Sequence, residues 1–233
     1  MAGRPVNTDR VKTGIPGLDE LMGGGIPRGH TVIIGGGPGS GKTVMSSQII
    51  HEGVNYGDKG VYVTFSETPE AFKRNMKIFG WDFNRLERMG MVKIIGMPST
   101  VGGAAEILGH ILDEVRDFGA QRLVIDSFTA LTLSLGDTIE NVRALAYTLY
   151  QAMKRSGCAL SILVAETPYG EERIGMGVEE FIADGIILLN MRVEGRRIHR
   201  SILVLKMRGT EHDLSYHPLI IDSRGVRVLP EIE

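Results

Sequence analysis

The sequence predicts an α/β fold: a mostly parallel, twisted sheet flanked by helices, with antiparallel β-hairpins at the C-terminal end. Strand-like apolar runs alternate with helix-like segments from about residue 31 to residue 165. In the last third, paired strand-like runs flank short turns, which is the pattern of β-hairpins. No linker or change in composition divides the 233 residues, so we expect one domain over 1–233, with a lead-in segment at 1–30 and a hairpin region at 185–229.

Each element is predicted from its own local pattern. β-branched and apolar runs predict parallel strands at 31–34, 60–65, 91–95, 122–126 and 159–165. Helical spacing of apolar residues predicts helices at 44–50, 69–79, 104–118 and 138–155. Pro69 suits a helix start, Gly80 and Gly119 suit helix ends, and Asp137 with Glu140 suits a capping pair. The hairpins are predicted at 185–193 with 198–205, and at 217–221 with 225–229.

Composition narrows the class of protein. Hydrophobic residues make up 42% of the chain and charged residues 23%, as in soluble globular proteins. The net charge of −2 gives no overall attraction to nucleic acid or to anionic membranes. The single cysteine, Cys158, excludes an intrachain disulfide, and we interpret it as a buried packing residue, as we do Trp81. Without an apolar leader or a membrane-length apolar run, a cytoplasmic protein is expected.

A phosphate-binding loop is the most specific motif in the chain. Residues 36–43, Gly-Gly-Pro-Gly-Ser-Gly-Lys-Thr, match the pattern G-x-x-x-x-G-K-[ST] between a predicted strand and a predicted helix. Glycine amides and the positive end of the helix attract an anion, Lys42 reaches the β- and γ-phosphates, and the Thr43 hydroxyl binds Mg²⁺. The predicted phosphate-binding residues are Gly36, Gly37, Pro38, Gly39, Ser40, Gly41, Lys42, Thr43 and Val44.

Two carboxylates are candidates for chemistry beside this loop. Asp126 ends an apolar strand, so its side chain is expected at the carboxyl edge of the sheet, where it could hold Mg²⁺ opposite Thr43. Glu67 follows another strand and could orient or deprotonate the attacking water. The alternative for its segment is a helix start in which Thr68 is the N-cap. Glu166, at the end of a third strand, is either a sensor of the γ-phosphate or an ordinary loop carboxylate.

Two groups of basic residues lie in the hairpin region. Lys206 and Arg208 fall on the same side of an extended chain, which suits either phosphate binding or a solvated edge strand. In P-loop enzymes such cations can complete the site of a neighbouring subunit. The second group surrounds the hairpin turn and comprises Arg192, Arg196, Arg197, His199 and Arg200. Few aromatic residues interleave with it, so we interpret it as a solvated face rather than a nucleic-acid site.

Several motifs together resemble the KaiC-like branch of the RecA superfamily. They are the segment leading from Val11 to the P-loop, the second-strand motif Gly60–Pro69, the run Gly177–Gly185 and the segment Leu205–Thr210. The similarity extends over nearly the whole chain. It implies a RecA-like P-loop NTPase core, ATP or ADP with Mg²⁺, and a homo-oligomer that is a hexameric ring with nucleotide between subunits.

The resemblance also implies a second half of the site. By similarity, the residues that approach the nucleotide of the neighbouring subunit are Lys206, Met207, Arg208, Thr210, His212 and Asp222. The family usually has paired glutamates where this chain has Ser66-Glu67. Because an unassisted serine is a poor general base near neutral pH, hydrolysis is expected to be slow or to depend on Glu67.

The sequence-based function is therefore a Mg-ATP-dependent ATPase whose catalytic residues are Lys42, Glu67, Lys206 and Arg208. A nucleotide-gated assembly module with little turnover is the first alternative. A recombinase-related DNA-binding protein is the second, although the net charge and the scarcity of aromatic residues argue against nucleic-acid binding.

Overall fold

A computed structural model describes residues 9–97, 104–133, 139–167 and 183–230. Its strands are β1 (Arg10–Val11), β2 (Ile26–Pro27), β3 (His30–Gly36), β4 (Gly60–Thr64), β5 (Val92–Gly96), β6 (Arg122–Asp126), β7 (Leu160–Glu166), β8 (Gly185–Glu194), β9 (Arg197–Met207), β10 (His217–Asp222) and β11 (Gly225–Val228). Its helices are α1 (Leu18–Leu21), α2 (Lys42–Gly53), α3 (Pro69–Met76), α4 (Phe83–Arg88), α5 (Ala104–Phe118), α6 (Phe128–Leu133) and α7 (Ile139–Ser156).

Within the described ranges, nine strands form one sheet in the order β11-β10-β9-β8-β3-β7-β6-β4-β5. The six strands from β8 to β5 are all parallel to one another. The last three strands, β9, β10 and β11, are each antiparallel to the strand before them. This arrangement confirms the predicted mixed sheet, and it places β3 at its centre between β7 and β8.

Both faces of the sheet are covered by apolar side chains. Val32 and Ile34 of β3 belong to a cluster that includes residues of α2, α3 and α4, whereas Ile33 between them belongs to a cluster with residues of α5, α6 and α7. Because successive side chains of a strand point to opposite faces, this alternation places helices on both sides of β3. The continuous apolar run that predicted β3 is thus explained by burial on both faces.

The predicted elements of the parallel part and both hairpins are present, with small differences. The helix from Pro69 ends at Met76 and continues as a short 3₁₀ turn over Lys77–Phe79 before Gly80. The structure adds β1, β2, α1, α4 and α6, which are too short to produce a clear periodic pattern. The first long hairpin extends to Glu194 and Arg197, so its turn is two residues, Gly195 and Arg196.

Some predictions fall on residues outside the described ranges. These are the cap at Asp137 and the part of the run Gly177–Gly185 that lies within 168–182. Trp81 and Cys158 are buried, as expected from their sequence positions. In the described part of the chain, no helix is both long and apolar enough to cross a bilayer.

Candidate functional site

The P-loop connects the carboxyl end of β3 to the start of α2, the strand-loop-helix context that its motif requires. Gly39 and Gly41 have φ angles of 77° and 107°, a backbone conformation that favours glycine. Gly41 is the N-cap of α2, so the positive end of that helix faces the loop. The Ser40 hydroxyl is buried and has no hydrogen-bond partner among the described residues, which leaves a donor available inside the loop.

Lys42 folds back over the loop that precedes it. Its ammonium group donates hydrogen bonds to the carbonyls of Gly36 at 2.8 Å and Gly37 at 2.9 Å. Burial lowers the pKa of Lys42, while the charges of Glu166 and Asp126 act in the opposite direction. These two bonds hold the lysine at the mouth of the loop, where an incoming phosphate would compete for its N–H groups.

Thr43 and Asp126 meet at the same edge of the sheet, as predicted. The Thr43 hydroxyl donates to Asp126 Oδ2 at 2.8 Å, and the Tyr62 hydroxyl donates to the same oxygen at 2.7 Å. Burial raises the pKa of Asp126, and these two hydrogen bonds act against that rise. Sequence reasoning missed Tyr62, because its place in a β-branched strand indicated a packing residue.

This pair of groups fits Mg²⁺. A hydroxyl and a carboxylate are hard oxygen ligands, and Mg²⁺ in nucleotide sites is held by one or two protein oxygens together with phosphates and water. Among the described residues, no group of three or more His, Cys, Asp or Glu side chains could hold a metal by itself. A metal at Thr43 and Asp126 would therefore depend on the nucleotide for further ligands.

Glu67 lies close to this carboxylate but is engaged elsewhere. Its carboxylate accepts a hydrogen bond from Asn75 Nδ2 of α3 at 2.9 Å. Partial burial raises its pKa, with the charge of Asp126 contributing in the same direction and the bond from Asn75 opposing it. Ser66 beside it is exposed. The alternative interpretation of this segment also holds, since Thr68 Oγ1 caps α3 by accepting from the amide of Ala71 at 3.2 Å.

Glu166 lies next to the P-loop because β7 pairs with β3, with Glu166 opposite Gly36. Its side chain is exposed and accepts a hydrogen bond from the Ser127 hydroxyl at 3.4 Å. Its charge also acts on Lys42. The strand ends therefore bring Lys42, Asp126 and Glu166 together.

The β8–β9 hairpin reaches the P-loop as well. β8 runs parallel to β3 and extends beyond Gly36, and Arg200 on β9 donates from Nε to the carbonyl of Gly39 at 3.2 Å. Sequence reasoning placed Arg200 on a solvated face. Its contact depends on a strand register that links residues 161 positions apart, which no local pattern reveals.

Asp222 lies at this same edge. β10 is antiparallel to β9, which is antiparallel to β8, so β10 runs in the direction of β3 and ends on the side of the P-loop. Ile221 beside it packs so closely on the loop that a Cβ at Gly41 would collide with its Cδ1. The Asp222 carboxylate accepts from the Arg224 amide at 2.8 Å and from Arg227 Nε at 3.4 Å.

The segment from Arg208 to His212 lies at the opposite edge, and Lys206 lies between the two edges, in register with Ile186 and Ile33. Arg208 contacts Asp184 and the carbonyl of Arg208 lies 3.0 Å from His30 Nε2, at the start of β3. Thr210 accepts a hydrogen bond from Arg10 at 3.1 Å. The Met207 side chain is buried, so it can present only its main chain to a ligand. The structure thus brings Lys206, Arg208 and their neighbours together, but it does not bring them to Asp222.

Comparison with known proteins agrees with this architecture. The sequence model of the family described as "ATPase: KaiC" matches residues 11–233. A UPF0273 protein of Methanopyrus kandleri is 38% identical over 96% of this chain and 93% of its own length. The circadian clock protein KaiC3 of Synechocystis is 35% identical over 95% of this chain and 46% of its own length. The crystal structure of a KaiC-like protein from Pyrococcus horikoshii superposes with a TM-score of 0.85 at 37% identity, over 95% of this chain and 99% of that one.

Proposed function

The chain belongs to the KaiC family of ATPases, and on this basis we propose that it binds Mg-ATP at the P-loop and hydrolyses it at the interfaces of a ring. The observation that carries the proposal is the meeting of three groups at the carboxyl edge of the sheet. Lys42 closes the loop, and Thr43 lies 2.8 Å from Asp126. Ligands of α/β sheets bind at this edge.

In the same-chain half of the site, the loop amides and Lys42 bind the phosphates. Thr43 and Asp126 hold Mg²⁺, directly or through water, and the metal neutralises charge on the phosphates. Tyr62 keeps Asp126 oriented by its hydrogen bond of 2.7 Å. Arg200 belongs to this half, because its guanidinium contacts the carbonyl of Gly39 in its own chain.

Lys206 and Arg208 act on the neighbouring subunit. β3 has seven residues, so its two ends are about 20 Å apart at roughly 3.3 Å per residue. The P-loop follows one end, and Arg208 lies beside the other, a distance that its side chain cannot span. Lys206 pairs with Ile186, which is in register with Ile33, so it lies about 10 Å along the strands from Gly36, which is still beyond the reach of a lysine side chain. A surface that carries a nucleotide and an opposite surface that carries cations suit a head-to-tail contact, which closes into a ring. We propose that this ring is a hexamer, as the resemblance to KaiC-like proteins implies.

Turnover is proposed to be slow. Ser66 stands where the family usually has a glutamate, and Glu67 is turned toward Asn75. The raised pKa of Glu67 favours proton acceptance once its carboxylate is released from the hydrogen bond with Asn75. The second candidate function, a nucleotide-gated module with little turnover, is favoured by the same two observations.

Phosphate release separates the two functions. The measurement compares the wild type with Lys42→Ala, which removes the phosphate ligand, and with Ser66→Glu, which supplies a carboxylate. We expect slow release above the Lys42→Ala background and a gain in Ser66→Glu. Tight ATP binding without release above that background would leave only the module.

Mixed assemblies test action between subunits. Lys42→Ala chains retain the cations, and Arg208→Ala chains retain the P-loop. Some interfaces of a mixture therefore join an intact P-loop to an intact Arg208, and activity should partly return. A mixture shown to have exchanged subunits and yet remaining inactive would refute action in trans.

A further inference from the structure

Asp184, which lies just before β8, is a buried carboxylate with several donors. It accepts a hydrogen bond from the amide of Thr31 at 2.9 Å and one from the hydroxyl of Tyr150 at 3.1 Å. The ammonium group of Lys154 lies 2.7 Å from Oδ2. Burial acts to raise its pKa, but the bonds from Lys154 and Thr31 outweigh it and hold the pKa of Asp184 below its usual value. The carboxylate is therefore ionised at neutral pH.

Arg208 is attached to Asp184 by both its main chain and its side chain. The Arg208 amide donates to the carbonyl of Asp184 at 2.8 Å, and Nη1 of the guanidinium lies 3.5 Å from Oδ1. On the other side, the Arg208 carbonyl is 3.0 Å from His30 Nε2. The Asp184 side chain is 5% exposed, whereas the Arg208 side chain is 50% exposed. The buried carboxylate therefore contacts the guanidinium from the protein side, while the rest of the Arg208 side chain extends toward the surface.

We propose that Asp184 is the positioning residue for Arg208, orienting its guanidinium toward the nucleotide of the neighbouring subunit. This inference rests on the proposed function. A guanidinium holds its five N–H donors in a fixed plane, so a contact of one nitrogen with Asp184 sets the direction in which the whole group can meet phosphate oxygens. Partners of this kind, one step removed from the ligand, commonly change activity about 10- to 100-fold when they are lost.

Kinetics of three variants test the role. Asp184→Asn keeps the shape of the side chain and removes its charge, and it should lower kcat about 10- to 100-fold. The affinity of the P-loop of the same chain for ATP should stay within about twofold of the wild type, because that loop is about 20 Å away. Arg208→Ala is the reference for complete loss. Lys154→Met is the matched control, because it removes the ammonium group that lies 2.7 Å from Oδ2 of Asp184 and leaves Arg208 in place. Its kcat should remain close to that of the wild type.

A purely structural role gives a different result. If Asp184 only ties α7 to β3, Lys154→Met should lower kcat as much as Asp184→Asn does, and the inference is overturned. The double variant Lys154→Met/Asp184→Asn removes both charges together, so no buried ion is left unpaired if the single variant fails to fold. It should show the low kcat of Asp184→Asn.

Subunit mixing gives the readout that a folding defect would not. Asp184→Asn chains mixed with Lys42→Ala chains should regain activity, since some interfaces then join an intact P-loop to an intact Arg208. Mixed with Arg208→Ala chains, they should remain inactive. The reverse pattern would place the defect in the same-chain half of the site and overturn the inference. If Arg208→Ala itself leaves phosphate release unchanged, the proposed trans action fails; if it lowers release and Asp184→Asn does not, only the role of Asp184 fails.

Discussion

The hydrogen bond from Tyr62 to Asp126 should stabilise the folded chain by different amounts without and with Mg-ATP. Tyr62→Phe removes a fully buried hydroxyl that donates to a buried carboxylate at 2.7 Å. Hydrogen bonds to charged groups contribute about 1.5–3 kcal/mol, so the free energy of unfolding of the nucleotide-free chain should fall by about that amount. The Thr43 hydroxyl still donates to the same oxygen, which keeps the residual penalty within this range.

With Mg-ATP bound, the loss should be smaller. Mg²⁺ held by Thr43 and Asp126 would compensate the charge of this carboxylate and would replace part of what the Tyr62 hydroxyl supplied. A reduction of the penalty by roughly 1 kcal/mol requires, by thermodynamic linkage, that the variant bind Mg-ATP about fivefold more tightly. Chemical denaturation with and without Mg-ATP and direct ATP titration therefore have to agree.

Tyr150→Phe is the matched control for this experiment. It removes the same kind of bond, from a tyrosine to the buried carboxylate of Asp184 at 3.1 Å, at the opposite edge of the sheet. Its penalty should change less on adding Mg-ATP than the penalty of Tyr62→Phe does, because Asp184 lies about 20 Å from the P-loop of its own chain. An unchanged penalty for Tyr62→Phe on adding Mg-ATP, or a penalty below about 0.5 kcal/mol in the free chain, would refute the reasoning.

Three further predictions concern buried groups. Burial raises the pKa of Asp126, so the folded state binds a proton more tightly than the unfolded chain does, and this contribution to stability is lost as the pH rises from about 4 through the raised pKa. In nucleotide-free denaturation, Asp126→Asn should therefore be more stable than the wild type at neutral pH but not at pH 3, and it should lose Mg²⁺-dependent ATP binding. Arg122→Met breaks a buried pair in which Nε donates to Asp58 at 2.8 Å, and should lower the free energy of unfolding by about 3–5 kcal/mol without changing ATP affinity; a loss below about 1 kcal/mol would contradict this. Burial raises the pKa of the Cys158 thiol, so maleimide labelling should occur only at the rate of unfolding, and rapid labelling of the native chain would show that this side chain is accessible.

Much of the fold followed from local patterns. The P-loop, the strand that precedes it and the helix that follows are specified within 24 residues, from His30 to Gly53. Asp126 could be placed at the carboxyl edge because it ends an apolar run, and all parallel strands end at that edge. Short elements such as α1 and α6 escaped prediction because one or two turns give no measurable periodicity.

The second half of the site could not be placed in the same way. The resemblance grouped Asp222 with Lys206 and Arg208, yet the structure separates them by the length of the sheet. Which end of the sheet a residue reaches depends on the direction of every strand between it and β3. Strand direction is a property of pairing between distant segments, so residue types along the chain do not encode it locally.

By itself, the sequence determined the family, the sheet with helices on both faces, and the phosphate-binding loop with Thr43 and Asp126, because each depends on residues close together in the chain or on the shared end of parallel strands. Only the tertiary structure decided which groups surround that loop and which lie at the far edge of the sheet. Tyr62 on Asp126, Arg200 on Gly39, and Arg208 on Asp184 at the far edge all depend on the order and register of the strands, which place residues distant in sequence within bonding distance.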